Sequence, residues 1–278
     1  MLWKKDKLFC EINPACYAIS VQKEILKRHL QNLRSKECFA KKIIKRKLPN
    51  LVYEHHSHLI KKGKGIDQNL QQNKAVNIRL ACEKLNGLII NPGEVFSFWG
   101  LIGNTTKRKG YKEGRVIEKN RLKPGMGGGL CNLSNTIHFL VLHSPLTVTE
   151  FHSHSDALAP DEGERVPFSS GTSVNYNYID YRFKNNTEQP VQLLVWCEDD
   201  NLHAELRSMH PFLYSYRIVE ENHHFQKEGE KYYRISQIYK EIMDKNTGKV
   251  LYRNLVLDNH SEVMYDYSLI PEKQIIND

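Results

Sequence analysis

The sequence predicts an α+β fold: a mostly antiparallel sheet with a few helices, a basic helical N-terminal segment and a C-terminal β meander. Three observations carry this. Apolar residues recur at helical spacing near residues 21–33, 70–88 and 131–143. After Pro145 the pattern changes to short β-branched and aromatic runs separated by turn residues. The 278 residues include 10 Phe, 14 Tyr and 3 Trp, enough apolar mass for a core, which excludes disorder as the main state.

Charge divides the chain. Residues 1–65 carry 16 Lys+Arg against 5 Asp+Glu, whereas residues 66–278 carry 24 against 27. The net +8 therefore belongs to an N-terminal extension on a near-neutral body. In that extension Val21, Ile25, Leu26, Leu30 and Leu33 fall at helical spacing, with Lys23, Lys27, Arg28 and Arg34 around them. A second basic run, Lys41 to Lys47, is stopped by Pro49. A basic amphipathic helix can pack on the body as a solvated face, lie on an anionic membrane surface or bind nucleic acid. No nucleic-acid motif accompanies the charge, so nucleic acid is not an expected partner. His55, His56 and His58 read as surface residues before a lysine-rich loop. No apolar run reaches the roughly 18–20 residues that cross a bilayer. Leu8 to Ala18 is broken by Glu11, Asn13 and Pro14, unlike a secretory signal. The expected location is cytoplasmic, with peripheral contact at an anionic inner membrane face open to the basic segment.

The elements follow in order. Val76, Leu80 and Leu85 share one face of a helix over 70–88, which Gly87 ends. Asn91-Pro92-Gly93 is a turn and Val95 to Trp99 a strand. Residues 100–114 read as loop or hairpin, and Val116 to Leu122 as another strand. A helix starts at Cys131 or Asn132, presents Leu133, Ile137, Leu140 and Val141 as a stripe, and stops before Pro145. Strands are expected at Thr147–Phe151, Tyr178–Phe183, Val191–Cys197 and Leu202–Leu206, then at Tyr214–Val219, Tyr232–Met243 and Val250–Leu257. Lys245-Asn246-Thr247-Gly248 joins the last two as a hairpin turn. The organisation is a basic segment over 1–69, a main domain over 70–208 and a β meander over 209–278.

The six cysteines, at 10, 16, 38, 82, 131 and 197, form no C-x-x-C pair and fit no zinc ribbon. Cys131 differs from the rest because Gly127, Gly128 and Gly129 precede it at a helix start. Consecutive glycines cost backbone entropy and are kept where φ is positive or where something approaches the backbone closely. A cysteine at a helix N-terminus faces unpaired N–H groups and the positive end of the macrodipole, which favours the thiolate and could hold an oxyanion. Downstream, Glu150 to Asp156 read as a strand would put His152, His154 and Asp156 on one face, offering a base and its orienting carboxylate. This order is similar to papain-like and transglutaminase-like thiol enzymes. The same three residues, with Asp161 nearby, could instead bind zinc or iron. In the plain alternative the glycines make a tight turn, Cys131 is a small buried residue and the histidines hydrogen-bond the sheet. Arg165, Asp180, Arg182 and Asn185–Asn186 either line the same cleft or serve as strand-end and turn residues.

Five motifs stand in order: Asn91 to Phe98 (NPGEVFSF), Lys109 to Gly114 (KGYKEG), Gly127 to Cys131 (GGGLC), His152 to Asp156 (HSHSD) and Asp180 to Thr187 (DYRFKNNT). Together they resemble the VanW family. The resemblance implies an accessory role in glycopeptide (vancomycin) resistance or cell-envelope metabolism, with a cell-wall-related small molecule or peptide as partner. The family usually has Gln after the cysteine. Here Asn132, one methylene shorter, reaches less far toward any oxyanion site. The resulting expectation is thiol acyl chemistry on peptidoglycan-related substrates: Cys131 as nucleophile, His152 or His154 as base and Asp156 as orienter. Gly127, Gly128, Gly129, Asn132 and Arg182 would surround the substrate, with no cofactor and no metal. The alternative is a non-catalytic module that binds an envelope ligand or a membrane-associated partner.

Overall fold

The computed structural model describes residues 8–60, 67–118, 121–153, 156–157, 160, 171–176 and 179–276. Helix α1 (Pro14–Arg34) begins with Pro14 at its first position and with Asn13 accepting a hydrogen bond from the Cys16 N–H. Strands β1 (Lys42–Ile43) and β2 (Asn50–His58) follow. Helix α2 (Gln68–Leu85) is capped by Asp67, whose Oδ1 accepts from the Asn69 and Leu70 N–H groups at 2.8 and 3.2 Å. It ends at Asn86, after which Gly87 turns with φ +87°. Strands β3 (Leu88–Ile90) and β4 (Val95–Ser97) lead into the short helix α3 (Phe98–Ile102). The strand expected over 95–99 is therefore cut after three residues, because the Ser97 hydroxyl accepts from the Gly100 N–H and caps a helix. Strands β5 (Glu113–Glu118) and β6 (Arg121–Met126) form a hairpin, so the strand expected over 116–122 spans both arms. Helix α4 (Leu130–Leu142) precedes β7 (Thr147–Glu150), β8 (Asp156–Ala157), β9 (Arg182–Lys184), β10 (Val191–Glu198) and β11 (Asn201–Ser208). The chain closes with β12 (Tyr214–Glu228), β13 (Lys231–Asp244), β14 (Val250–Val263) and β15 (Ile275–Ile276).

The architecture is α+β. The central sheet runs β1-β3-β10-β11-β2 and is antiparallel throughout. Residues before position 70 thus supply both of its edges. Helices α2 and α4 pack on it through Ile78, Ala81, Leu85, Leu133, Ile137 and Leu140, against Leu88, Ile90, Leu193, Val195, Leu202 and Leu206. Each of these leucine, isoleucine and valine side chains contributes about 1.5–3 kcal/mol by leaving water. The expected stripe on α4 widens to the whole helix, since every residue from Leu133 to Leu142 is buried. A helix apolar nearly all round belongs in a core. Strand β2 turns Tyr53 and His55 toward α4, where their rings stack on His143 and Phe139 at 3.8 and 4.4 Å. The histidine cluster read as surface therefore splits by strand alternation: His56 and His58 are exposed, and His55 is packed. Burial, aided by His56 and His143, pushes the His55 pKa down to about 4.

A three-stranded sheet, β4-β9-β7, stands beside this core. The meander forms a separate sheet, β15-β12-β13-β14-β8, with parallel pairing only at its two outer strands. Ile238 packs against Phe139 and Leu142, joined by Ile218, Val256 and Leu257. Lys240 Nζ donates to the Ser144 carbonyl at 2.6 Å and reaches that of Val141 at 3.5 Å, satisfying the C-terminal end of α4. Burial lowers the Lys240 pKa to about 8. The expected turn over 245–248 is present: Asp244 Oδ1 accepts from the Asn246 and Thr247 N–H groups, and Gly248 takes φ +66°.

Candidate functional site

The glycine-rich turn lies between β6 and α4, with Gly127 at φ +72° and Gly129 at φ +98°. The close approach its glycines permit is made by the protein's own backbone. Gly128 lies against Gly114, each without room for a Cβ because of the other's carbonyl. Buried Asn77 fixes this contact: its Nδ2 donates to the Gly128 and Lys112 carbonyls at 2.9 and 3.0 Å, and its Oδ1 accepts from the Lys112 N–H at 2.8 Å. A side chain at Gly127 would meet Thr105, and one at Gly129 would meet Lys74.

Cys131 stands in the first turn of α4, after a Gly129 cap that offers no side chain. Its Sγ donates to the Val174 carbonyl at 3.7 Å. Burial pushes the thiol pKa up, outweighing the lowering by the backbone hydrogen bonds. That is the reverse of what a helix N-terminus alone predicts, because desolvation disfavours the thiolate. Asn132 faces β2: its Oδ1 accepts from the Ser57 hydroxyl at 3.1 Å and its Nδ2 donates to the His58 carbonyl at 3.3 Å. Ser57 also hydrogen-bonds Thr136 at 3.1 Å, so this amide pins the start of α4 to the sheet edge.

The run from Glu150 to Asp156 is not one continuous strand, since β7 ends at Glu150 and β8 begins at Asp156. Strand β7 therefore carries none of His152, His154 and Asp156. His154 and the side chain of Asp156 lie outside the described residues, as do Asp161 and Arg165. His152 Nε2 lies 3.2 Å from Glu150 Oε1. The segment 172–174 links the two halves of the site. The Ser173 N–H donates to the His152 carbonyl at 2.7 Å, Thr172 Oγ1 donates to Asn135 Oδ1 at 3.1 Å, and the Val174 carbonyl takes the Cys131 hydrogen bond. Among the described residues no imidazole hydrogen-bonds the Cys131 sulfur, and no group of three or more His, Cys, Asp or Glu is arranged to hold a metal.

Arg182 belongs to a second constellation. Its Nε donates to Asp180 Oδ2 at 2.7 Å, its Nη2 to Asn32 Oδ1 at 2.9 Å, and its Nη1 lies 3.7 Å from Glu37. The guanidinium, expected among substrate contacts, has its Nε and Nη2 engaged by the protein's own side chains. Asp180 also accepts from the Ser97 hydroxyl and from the Trp99 and Tyr181 N–H groups, at 2.6, 3.0 and 3.0 Å. Arg28 of α1 grips Glu150 with two 2.7 Å hydrogen bonds. Burial works against the Glu150 carboxylate, yet hydrogen bonds from Arg28, His152 and the Asp180 N–H hold its pKa below the usual value. Sequence reasoning passed over Arg28, Glu150 and Asn77. Glu150 alone carried a signal, its place next to the histidine motif. Within α4, His138 is buried with Nδ1 2.9 Å from the Tyr181 hydroxyl, and burial pushes its pKa down to about 3.

A largely polar cleft of about 470 Å³ opens along α2, lined by Asn69, Gln72, Asn73, Arg79, Lys112 and Asp200 beside Ile60, Ala75 and Val76, and Lys112 links it to the glycine turn, its carbonyl accepting from the Gly127 N–H at 3.0 Å. Asn73 Nδ2 donates to the Glu113 carbonyl at 2.9 Å, which ties the cleft to β5.

Comparison with known proteins bears on this arrangement. Residues 73–207, which contain the glycine turn, Cys131, His152, Asp180 and Arg182, match the family described as "VanW like protein". The chain is 28% identical over 228 residues to the "Vancomycin B-type resistance protein VanW" of Enterococcus faecalis, covering 82% of this chain and 83% of that protein. It is 31% identical over 120 residues to the "Uncharacterized protein YoaR" of Bacillus subtilis, covering 43% of this chain and 38% of that relative. No solved structure matches.

Proposed function

We propose that this chain, whose residues 73–207 match the VanW family, is an accessory protein of glycopeptide (vancomycin) resistance or cell-envelope metabolism that binds a cell-wall-related small molecule or peptide. The observation that carries the binding reading is the state of Cys131. Its sulfur donates to the Val174 carbonyl, no imidazole among the described residues hydrogen-bonds it, and burial pushes the thiol pKa up. A thiol nucleophile needs a lowered pKa or a base within hydrogen-bond reach. The polar cleft beside the glycine turn supports the same reading. Its amides, guanidinium, ammonium and carboxylate suit a ligand rich in peptide or hydroxyl groups.

Thiol acyl chemistry is the second reading. Its support is the place of Cys131 in the first turn of α4 and the tie of that turn to His152 through segment 172–174. A base would take the Cys131 proton, the sulfur would add to an acyl carbonyl, and the leaving group would depart with that proton.

Cys131→Ser separates the two. In cells whose vancomycin resistance depends on this chain, the variant should keep full resistance, and iodoacetamide should alkylate Cys131 of the intact protein no faster than the exposed Cys38. Loss of resistance together with rapid, low-pH alkylation of Cys131 would overturn the binding reading in favour of the thiol one.

A further inference from the structure

We propose that α1 is a membrane-surface helix that holds the protein on an anionic bilayer. A helix docked on a protein body normally turns its apolar stripe inward. Helix α1 does the reverse. Its contacts with the body are polar: Arg28 on Glu150, and Asn32 accepting from Arg182. It has no buried residue along its whole length.

Val21 and Ile25, on the Arg28 face, are only half-buried, and four other apolar residues point away. Ile19, Leu26, Leu30 and Leu33 follow one another at seven, four and three residues, which places them on a single stripe. They are 59%, 61%, 42% and 82% exposed. Lys23, Lys27 and Arg34, all exposed, sit on one flank of that stripe, within about 80° of it at ~100° per residue. Glu24 is the only acidic residue in α1, and it lies off the stripe and pairs with Lys27 at 3.6 Å.

This chemistry selects the occupant. A second copy docked stripe to stripe would bring two rows of Lys23, Lys27 and Arg34 together. Nucleic acid would leave four large apolar side chains in water. An anionic bilayer satisfies both features, with the leucines at the acyl boundary and the cations at the phosphates. The helix lies on the surface: among the described residues no helix is long and apolar enough to cross a membrane. The inference is independent of what the site beyond Cys131 binds, and its test contains no envelope ligand.

The test is co-sedimentation of the full chain with vesicles of phosphatidylcholine, with and without about one-third phosphatidylglycerol. The protein should pellet with the anionic vesicles at low salt. It should be released at about 0.5 M salt, where screening shortens the reach of each charge to a few Å. The K23Q/K27Q/R34Q variant should bind on the order of 100-fold more weakly, and L26N/L30N roughly tenfold or more weakly. All five positions are exposed, so both variants should keep the wild-type melting curve. Absence of pelleting at low salt, equal binding to neutral vesicles, or indifference to L26N/L30N would each overturn the proposal. So would a dimer in analytical ultracentrifugation that L26N/L30N dissolves, which would assign the stripe to a second copy.

Discussion

The turn at Gly127–Gly129 and the charged cluster around Asp180, which Arg28 joins from α1, hold the backbone by opposite means. At the turn the contact is backbone on backbone, Gly128 against Gly114, with Asn77 closing it from one side. At the cluster, side chains from four elements converge: Arg28 of α1, Ser97 of β4, Glu150 of β7 and Arg182 of β9. The turn tolerates no added atom. The cluster tolerates no removed charge. The comparison teaches that a motif can be rich in reactive residue types because the fold uses them, before any substrate does.

The largest expected effect follows from removing one partner in the cluster. Asp180 is 3% exposed and accepts four hydrogen bonds, so Asp180→Ala strips Arg182 of its nearest carboxylate and leaves the Ser97 hydroxyl and the Trp99 and Tyr181 N–H groups without their acceptor. Breaking a buried pair in this way costs about 3–5 kcal/mol. Urea unfolding should show a lower midpoint at an unchanged slope, the product of slope and midpoint shift giving a loss of that size. At the turn, Gly128→Ala forces a methyl group into the Gly114 carbonyl and should cost about 1–3 kcal/mol by the same measurement. A Gly128→Ala loss equal to that of Asp180→Ala would break the comparison, because backbone packing would then matter as much as the buried charges.

How far the fold can be read from the residues depends on the range of the interactions. Helices α2 and α4 and the strands of the meander carry local period, and the structure has them with shifted ends. Strand β2 does not: His55-His56-Ser57-His58 is polar, and it becomes a strand only by pairing with Asn201 to Ala204 of β11. The aromatic run after Val95 looks extended until Ser97 caps a turn. The cluster was hidden for a different reason. Arg28 and Glu150 are 122 residues apart and Asn32 and Arg182 are 150 apart, so no local pattern announces either contact. For the candidate site, the position of Cys131 at a helix start was legible, because glycines and an apolar run mark it. Its protonation was not, because that depends on desolvation and on a carbonyl 43 residues downstream.

The smallest effect separates the two regions by pH. Glu150 has its pKa lowered in the folded protein, so its contribution is present above the unfolded value of 4.5 and is lost as pH falls through the folded one. Cys131 has its pKa raised, so its contribution is present below the unfolded value of 9.0 and is lost as pH rises toward the folded one. The cluster should therefore weaken in acid and the start of α4 in alkali. His55 and His138, held neutral with pKa values of about 4 and about 3, add their own acid loss from pH 6.5 downward. That background is common to wild type and Glu150→Gln, so it cancels when their stabilities are subtracted. The wild type minus Glu150→Gln difference should shrink only below about pH 4.5, and the wild type minus Cys131→Ser difference only above about pH 9. If the Cys131 difference shrank in acid instead, the thiol would be ionised in the folded state, and the turn would have to be reread as a reaction centre whose glycines shelter an anion.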